Sequence, residues 1–481
     1  MLPAGSPHRP PLPPRHHRNA EPRPLSRRLL PPTTPDAALA ALREAAARDG
    51  PLPLDRRRAL LDALAAAMLR HADALAAALD ADYGGRSVEE TLIADVKLVV
   101  DGARRARRHL ARWARPRRVG VPLPFRPSSA AVEPVPKGVV GIMAPWNYPV
   151  QLLLLPAVDA VAAGNRVALK PSEAVPRTAA LLAEVVPAAL GEDVARVVLG
   201  GPEVAAAFAA LPWDHLVFTG GTETGRKVMR AAAEGLVPVT LELGGKCPAL
   251  VLPGADLAAA ARAILVGKAI NAGQTCVAPD TVLLVGHARE ALLAALRAAG
   301  PALPDSALVS DAQAARLDAL CEGAALTPLG PGGGGASPRR RAIAVAEAPD
   351  GHPLHEREIF GPVLALRRCA TLEEAIAWIA ARPAPLAIYL FGATAAEEAA
   401  VAARTASGAI VHGRCVEYAA FPALPFGGVG ASGFGRRNGE AGFLEFSTLR
   451  ARVRHGRFSL ARLLDPPRGA RAKALVRRIL R

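Results

Sequence analysis

The stretch GVVGIMAPWNYPVQLLLLPAVDAVAAGNRVALK, residues 138–170, reads as strand, helix and strand in succession. Its opening over 138–144 is a short apolar run of the kind that buried parallel strands show, 147–164 is helical, and 166–170 is again a strand. The pattern then repeats: helix 177–190, strand 194–199, helix 202–211, strand 215–219, helix 222–235 and strand 237–243. Five strands separated by helices predict a doubly wound parallel sheet, the natural home of a dinucleotide.

Working outward, a cap and proline at Thr34-Pro35 start a helix that runs to Asp49. A second helix covers 55–83, with Leu60, Leu61, Leu64, Met68, Leu75 and Leu79 near one face, and a third covers 88–113. Residues 36–116 thus join 137–243 as one cofactor domain. Between them, the alternation over 117–136 is broken by prolines and suits an extended ribbon leaving the body. After Gly244 a second α/β domain is expected over 244–423, with helix 257–271, strand 281–285 and helix 289–298. A Gly-rich low-complexity stretch at 330–341 reads as a loop, and 458–481 as a broken basic amphipathic helix.

Composition bounds the function. A chain of 481 residues, 51% hydrophobic, has ample material for two large cores. No apolar run reaches the roughly 18–20 residues of a membrane span, and the best candidate, 151–163, is interrupted by Pro156 and Asp159. The five cysteines are scattered and give neither a disulfide framework nor a Cys-x-x-Cys metal site, which points to a reducing cytoplasm. Residues 1–35 are Pro/Arg-rich without an apolar core, so they read as a disordered leader, or as the product of a start codon placed too far upstream, rather than a secretory signal.

The net charge of +16 suggests nucleic acid until it is located. Residues 1–35 carry +5, 101–118 carry +7 and 450–481 carry +10, which leaves the rest of the chain at −6. No aromatic residues interleave with those charges as a single-strand platform requires, so no nucleic-acid partner is expected. Peripheral membrane contact through the basic tail is the alternative use of that charge. Arg outnumbers Lys by 52 to 7, and two of the few lysines, Lys170 and Lys246, fall inside motifs.

Five segments carry chemistry. Gly220-Gly221-Thr222-Glu223-Thr224-Gly225 links a strand to a helix whose first N–H groups are free for a phosphate or ribose. Lys170-Pro171-Ser172-Glu173 ends a neighbouring strand, where a carboxylate accepts from a ribose 2′-hydroxyl and repels a 2′-phosphate, favouring NAD over NADP. Cys276 sits among Gly273, Gln274 and Thr275, an exposed-loop setting, although a lone cysteine is also commonly a buried hydrophobe. Glu242 ends a strand, where it serves equally as an ion-pair partner, and Asn147 equally as a helix cap.

Together with Ala144–Pro149, Leu241–Lys246, Gly273–Pro279, Glu358–Pro362 and Pro425–Gly430 with Gly433, these segments resemble the aldehyde dehydrogenase superfamily over residues 36–450, and its class 3 and coniferyl aldehyde dehydrogenase branch in particular. The resemblance implies NAD(P)-dependent oxidation of an aldehyde, aromatic or long and apolar, to the acid. Cys276 would be the nucleophile, Glu242 the general base, and the Asn147 amide the oxyanion donor. Trp146, Lys170, Ser172, Glu173, Gly220, Thr222 and Gly225 would line the cofactor, with Glu358 on the nicotinamide ribose, Phe360 by the ring, and no metal. It also implies a homodimer joined through 117–136 and 447–457, with 424–446 returning to line the site. Gly221, Thr224, Arg357, the 82-residue interval from Cys276 to Glu358 and the segment 412–423 depart from the family pattern. The last of these predicts an altered substrate tunnel, and a non-catalytic cofactor-binding member is the alternative reading.

Overall fold

The computed structural model describes residues 33–300, 304–330, 339–457, 462 and 465–480. The leader up to residue 32, the low-complexity residues 331–338 and parts of the basic tail lie outside the described residues. Strands β1 (Arg117–Val119) and β2 (Ser129–Pro136) are followed by β3 (Val139–Met143), β4 (Arg166–Lys170), β5 (Ala195–Val197), β6 (His215–Gly220) and β7 (Val239–Leu243). The last five form a parallel sheet in the order β7-β6-β3-β4-β5. The chain grows outward from β3 to β5, crosses back, and grows the other way through β6 and β7. The crevice beyond the carboxyl ends of β3 and β6 is therefore the topological switch point, where ligands of open α/β sheets bind. Every residue of β3 and β4 is buried, which is why both read as continuous apolar runs.

The helix that follows β3 starts at Gln151 rather than at 147. Pro149 disfavours helical backbone at Tyr148, and Asp95 Oδ1 accepts from the N–H groups of Val150 and Gln151, capping the helix from another element. Asn147 is thereby left in a turn at the switch point and is not a cap. Two upstream helices also differ from the sequence reading. The one expected over 55–83 is broken at His71 into Leu54–Arg70 and Ala72–Tyr83. The one expected over 88–113 contains a π-helical segment, Thr91–Lys97, which carries Asp95.

Strands β8 (Pro248–Val251), β9 (Thr281–Val285), β10 (Ala325–Pro328), β11 (Ala344–Glu347), β12 (Val363–Cys369), β13 (Ala387–Phe391) and β14 (Ala409–His412) build a second sheet. Its order is β10-β11-β12-β9-β8-β13-β14, parallel except for the β10 edge. Two short returns complete the architecture. β15 (Gly433–Phe434) lies antiparallel on β7 with Gly433 opposite Glu242, and β16 (Ser447–Arg454) pairs along β2 from Ser447 opposite Pro136 to Arg454 opposite Ser129. The sheet β1-β2-β16 is largely exposed, with Leu449 and Val453 open on its surface. Among the described residues no helix is long and apolar enough to cross a membrane.

Candidate active site

Cys276 follows the helix Leu257–Ala269 and a tight turn in which Asn271, Ala272 and Gly273 all have positive φ (49°, 52° and 72°). Left-handed backbone at a non-glycine residue costs about 1–2 kcal/mol, so the turn needs support. Asn271 supplies it: its N–H donates to Glu90 (3.1 Å), and its Nδ2 donates to the carbonyls of Asn147 (3.0 Å) and Gln274 (3.3 Å). Gln274 Nε2 donates back to Asn271 O and to Ala307 O, both at 3.0 Å, while its Oε1 accepts from Val309 N. A side chain at Gly273 would sit 2.3 Å from Gly361 O, so only glycine lets this loop meet the one carrying Glu358 and Phe360.

The loop after β3 is stitched to the same turn. Asn147 Nδ2 donates to Gln274 O (3.1 Å), and Tyr148 Oη and Thr275 Oγ1 share a hydrogen bond of 2.7 Å. Arg86 Nη1 donates to Asn147 O (2.6 Å) and Nη2 to Asp95 (2.9 Å), an ion pair with no exposed side-chain surface. Asn147 Oδ1, buried, accepts no hydrogen bond. Glu242, near the end of β7, is 3% exposed and neither of its carboxylate oxygens has a hydrogen-bond partner. Its one charged neighbour within 4 Å is Arg437, whose Nε lies 3.8 Å away.

The loop at Glu358 is held from two sides. Arg316 donates to the carbonyls of Glu358 (3.4 Å), Ile359 (2.5 Å) and Phe360 (3.4 Å). Asp280 accepts from Ile359 N (2.8 Å) and from Lys246, whose ammonium also reaches Leu354 O and Arg357 O. The Phe360 ring stands edge-on to Trp146 with centroids 5.5 Å apart. A Cβ on Gly244 would meet Glu358 Oε2 at 2.0 Å, so the chain leaving β7 approaches that carboxylate as only glycine can.

These pieces enclose a cavity of about 260 Å³ lined by Trp146, Asn147, Gly220, Glu242, Cys276, Glu358 and Phe360, with Leu152, Thr219, Arg316, Phe426 and Arg437 among the others. Burial pushes the Cys276 thiol up to about 12, with Glu358 adding to the effect. Burial also raises Glu242 to about 7, against the pull of Arg437, and raises Glu358 to about 8, helped by Asp280.

Residues 31–451 match the aldehyde dehydrogenase family. The chain belongs to the aldehyde dehydrogenase family. It is 40% identical to a probable coniferyl aldehyde dehydrogenase of Pseudomonas aeruginosa, covering 91% of this chain and 95% of that protein. It is 37% identical to human aldehyde dehydrogenase family 3 member B1, over 86% of this chain and 90% of that one. The solved substrate-bound structure of Staphylococcus aureus AldH superposes with a TM-score of 0.87 at 30% identity, covering 93% of this chain and 99% of that one. The enzyme oxidises aldehydes to acids, and its relatives place it in the class 3 and coniferyl branch of this NAD(P)-using family.

Not every residue singled out in the sequence meets at this cavity. Thr222 lies in an adjoining cleft with Arg226, Lys246 and Arg382, which shares Gly244 and Glu358 with the first. Gly225 is buried where a Cβ would strike Leu243 at 2.6 Å, so its visible work is to let the helix Thr222–Glu234 lie close on β7. Lys170 ends β4 with Ser172 and Glu173 just beyond it, none of the three lines either space, and Lys170 Nζ donates to Pro171 O (3.1 Å) and Glu173 (3.3 Å). Conversely, Thr219, Arg316 and Arg437 line the dehydrogenase cavity without having been singled out. The Arg436-Arg437 doublet just after Gly435 was the available signal for the last of them.

The buried acids set a pH dependence of stability. Burial raises Asp159 and Glu242 to about 7 and Glu358 to about 8, whereas in the unfolded chain such groups ionise near pH 4. The folded state thus keeps protons that the unfolded chain has lost. The stability they contribute, complete below about pH 4, is lost as pH rises through the folded values. His215 runs the other way, driven by burial and Lys137 to about 3, but its contribution is already complete above about pH 6.5. The thermal midpoint of the cofactor-free enzyme is therefore expected to fall between about pH 6.5 and 8. A rise over that interval would contradict these assignments.

Proposed function

We propose that the enzyme works through a covalent intermediate on Cys276, with Glu242 as general base and Asn147 as oxyanion donor. The observation that carries this reading is that three residues from separate elements, a loop after β3, the end of β7 and a loop after a helix, line one cavity. The Cys276 sulfur attacks the aldehyde carbon, and the thiol proton leaves to solvent water. The oxyanion that forms takes hydrogen bonds from Asn147 Nδ2 and the Cys276 N–H. When bound, the nicotinamide supplies the acceptor for the hydride. Glu242 then takes a proton from water as the water oxygen bonds the thioester carbon, the carbon–sulfur bond breaks and the acid leaves.

The residues present fit a dinucleotide. The crevice opens at the switch point, the helix Thr222–Glu234 turns its free N–H groups beyond β6, and Thr219 Oγ1 is buried without a partner. Glu358 and Phe360 would hold the nicotinamide ribose and ring, with Trp146 alongside, Gly220 and Thr222 would meet the phosphates, and Lys170 with Glu173 the adenosine ribose. The carboxylate of Glu173 favours NAD over NADP. Apolar walls at Trp146, Leu152, Phe360 and Phe426 suit an aromatic aldehyde, and relatives named coniferyl aldehyde dehydrogenase make a coniferyl-type substrate the first to try. The exposed sheet β1-β2-β16 suits a dimer contact, and a cytoplasmic location fits free cysteines throughout.

The test is reduced-nicotinamide formation from benzaldehyde-type, cinnamaldehyde-type and aliphatic aldehydes, with NAD and NADP in parallel. The expected order is aromatic above short aliphatic and NAD above NADP. Asn147→Ala should lower turnover by about 10²–10³ with cofactor binding kept. Equal rates in that variant would remove Asn147 from the mechanism.

A further inference from the structure

The segment after Gly435 folds back over the end of β7. Phe426 and Arg437 exchange backbone hydrogen bonds of 3.0 and 2.9 Å, which places the Arg437 guanidinium 4.3 Å over the Phe426 ring. Arg437 is 3% exposed, lines the cavity, and has no acceptor at Nε or Nη1. Its Nε stands 3.8 Å from Glu242 Oε2, close enough for a charge contact and too far for a hydrogen bond. A buried guanidinium with unused donors is costly, as is a buried carboxylate with none received, and here the two face each other.

We propose that Arg437 is a positioning residue for hydrolysis of the thioester: it pairs with the Glu242 carboxylate and keeps it aimed at the carbon bonded to Cys276. The inference rests on Glu242 being the base. The other groups around the pair are accounted for. Arg436, next in chain, spends Nη1 on Gly428 O and Gly435 O, both at 2.7 Å. Glu445, from the helix Gly439–Glu445, accepts from Thr240 (2.6 Å) and Arg436 N (3.3 Å). Asp159, from the helix Gln151–Ala163, faces Arg437 but accepts from Asn438 N (2.9 Å). Cys276 and Tyr418 face both members of the pair from their own loops. Of the two cations that act on Glu242, Arg437 is the one whose unpaired donors are buried.

Two consequences separate this role from a structural one. Loss of the positive charge leaves burial opposed by Arg436 alone, so the pH at which Glu242 becomes a base moves upward. The first half of the reaction, which ends in reduced nicotinamide, is affected less than the second. The experiment is stopped-flow formation of reduced nicotinamide from benzaldehyde and NAD by wild type, R437Q, R437M and R437K across pH 5.5–9.5. In R437Q and R437M a burst of about one equivalent per site should persist, followed by a steady rate roughly 10–100-fold slower, with its pH midpoint raised by about 1 unit or more. R437K, which keeps the charge, should hold the midpoint within about 0.3 unit of wild type.

An unmoved midpoint in the neutral variants, or burst and steady rates falling together, would overturn the proposal. If the neutral variants lose NAD binding, R437K decides alone: a midpoint raised by about a unit despite the retained charge overturns it. No reduced nicotinamide from wild type would instead overturn the assigned reaction, a different outcome from either.

Discussion

Cys276→Ala is expected to lower aldehyde-dependent reduction of the nicotinamide by about 10⁴-fold or more, the scale on which loss of a covalent nucleophile acts. The reason is positional. The loop that carries Cys276 is held by Asn271, Gln274 and the Tyr148–Thr275 contact, none of which uses the cysteine side chain. Alanine therefore removes the sulfur and leaves the cavity in place. The neighbouring Cys247 thiol cannot stand in. Cys247 is fully buried, donates to Cys276 O across 3.4 Å, and is raised well above its ordinary range by burial. The check is steady-state turnover alongside NAD binding and a thermal midpoint, with binding and midpoint near wild type. Turnover within tenfold of wild type would mean that the chemistry lies elsewhere.

Glu242→Gln should cost about 10²–10⁴ in steady turnover. Both carboxylate oxygens lack hydrogen-bond partners, so the amide breaks no hydrogen bond and gives up only the charge contact with Arg437. What it cannot do is accept a proton. Because burial holds Glu242 at about 7, wild-type turnover should rise with pH through about 7 as the carboxylate forms, and the glutamine variant should lack that rise. The sign is fixed: the base works when ionised, so acid silences it. A rate profile through pH 6–8 that is the same in both proteins would exclude Glu242.

The first sheet was legible because β3, β4 and β6 are buried on both faces, so their apolar runs stand out between glycines and prolines. β10 was not, because it is a mostly exposed edge and its sequence, ALTP, has no inward row to show. The break at His71 was invisible for another reason. Leu64, Met68, Leu75 and Leu79 keep nearly helical spacing across it, and periodicity records a face, not a continuous backbone. The cavity divides in the same way. Asn147, Glu242, Cys276 and Glu358 lie in motifs whose resemblance to a family marked them. Lys246 carried a weaker mark, as one of few lysines in an Arg-rich chain, and it proves to anchor the Glu358 loop through Asp280. Arg437 was hidden among 52 arginines, and its position depends on the Phe426 bridge, a contact between residues that no local pattern links.

On the proposed mechanism, one cysteine carries the acyl group and one glutamate releases it. The most direct measurement is mass spectrometry of Glu242→Gln protein mixed with benzaldehyde and NAD, quenched in acid and digested. A benzoyl adduct is expected on the peptide containing Cys276, approaching one per chain, with no adduct in the Cys276→Ala control. An adduct on Cys247 or Cys415, or reduced nicotinamide accumulating with no adduct on any cysteine, would contradict it.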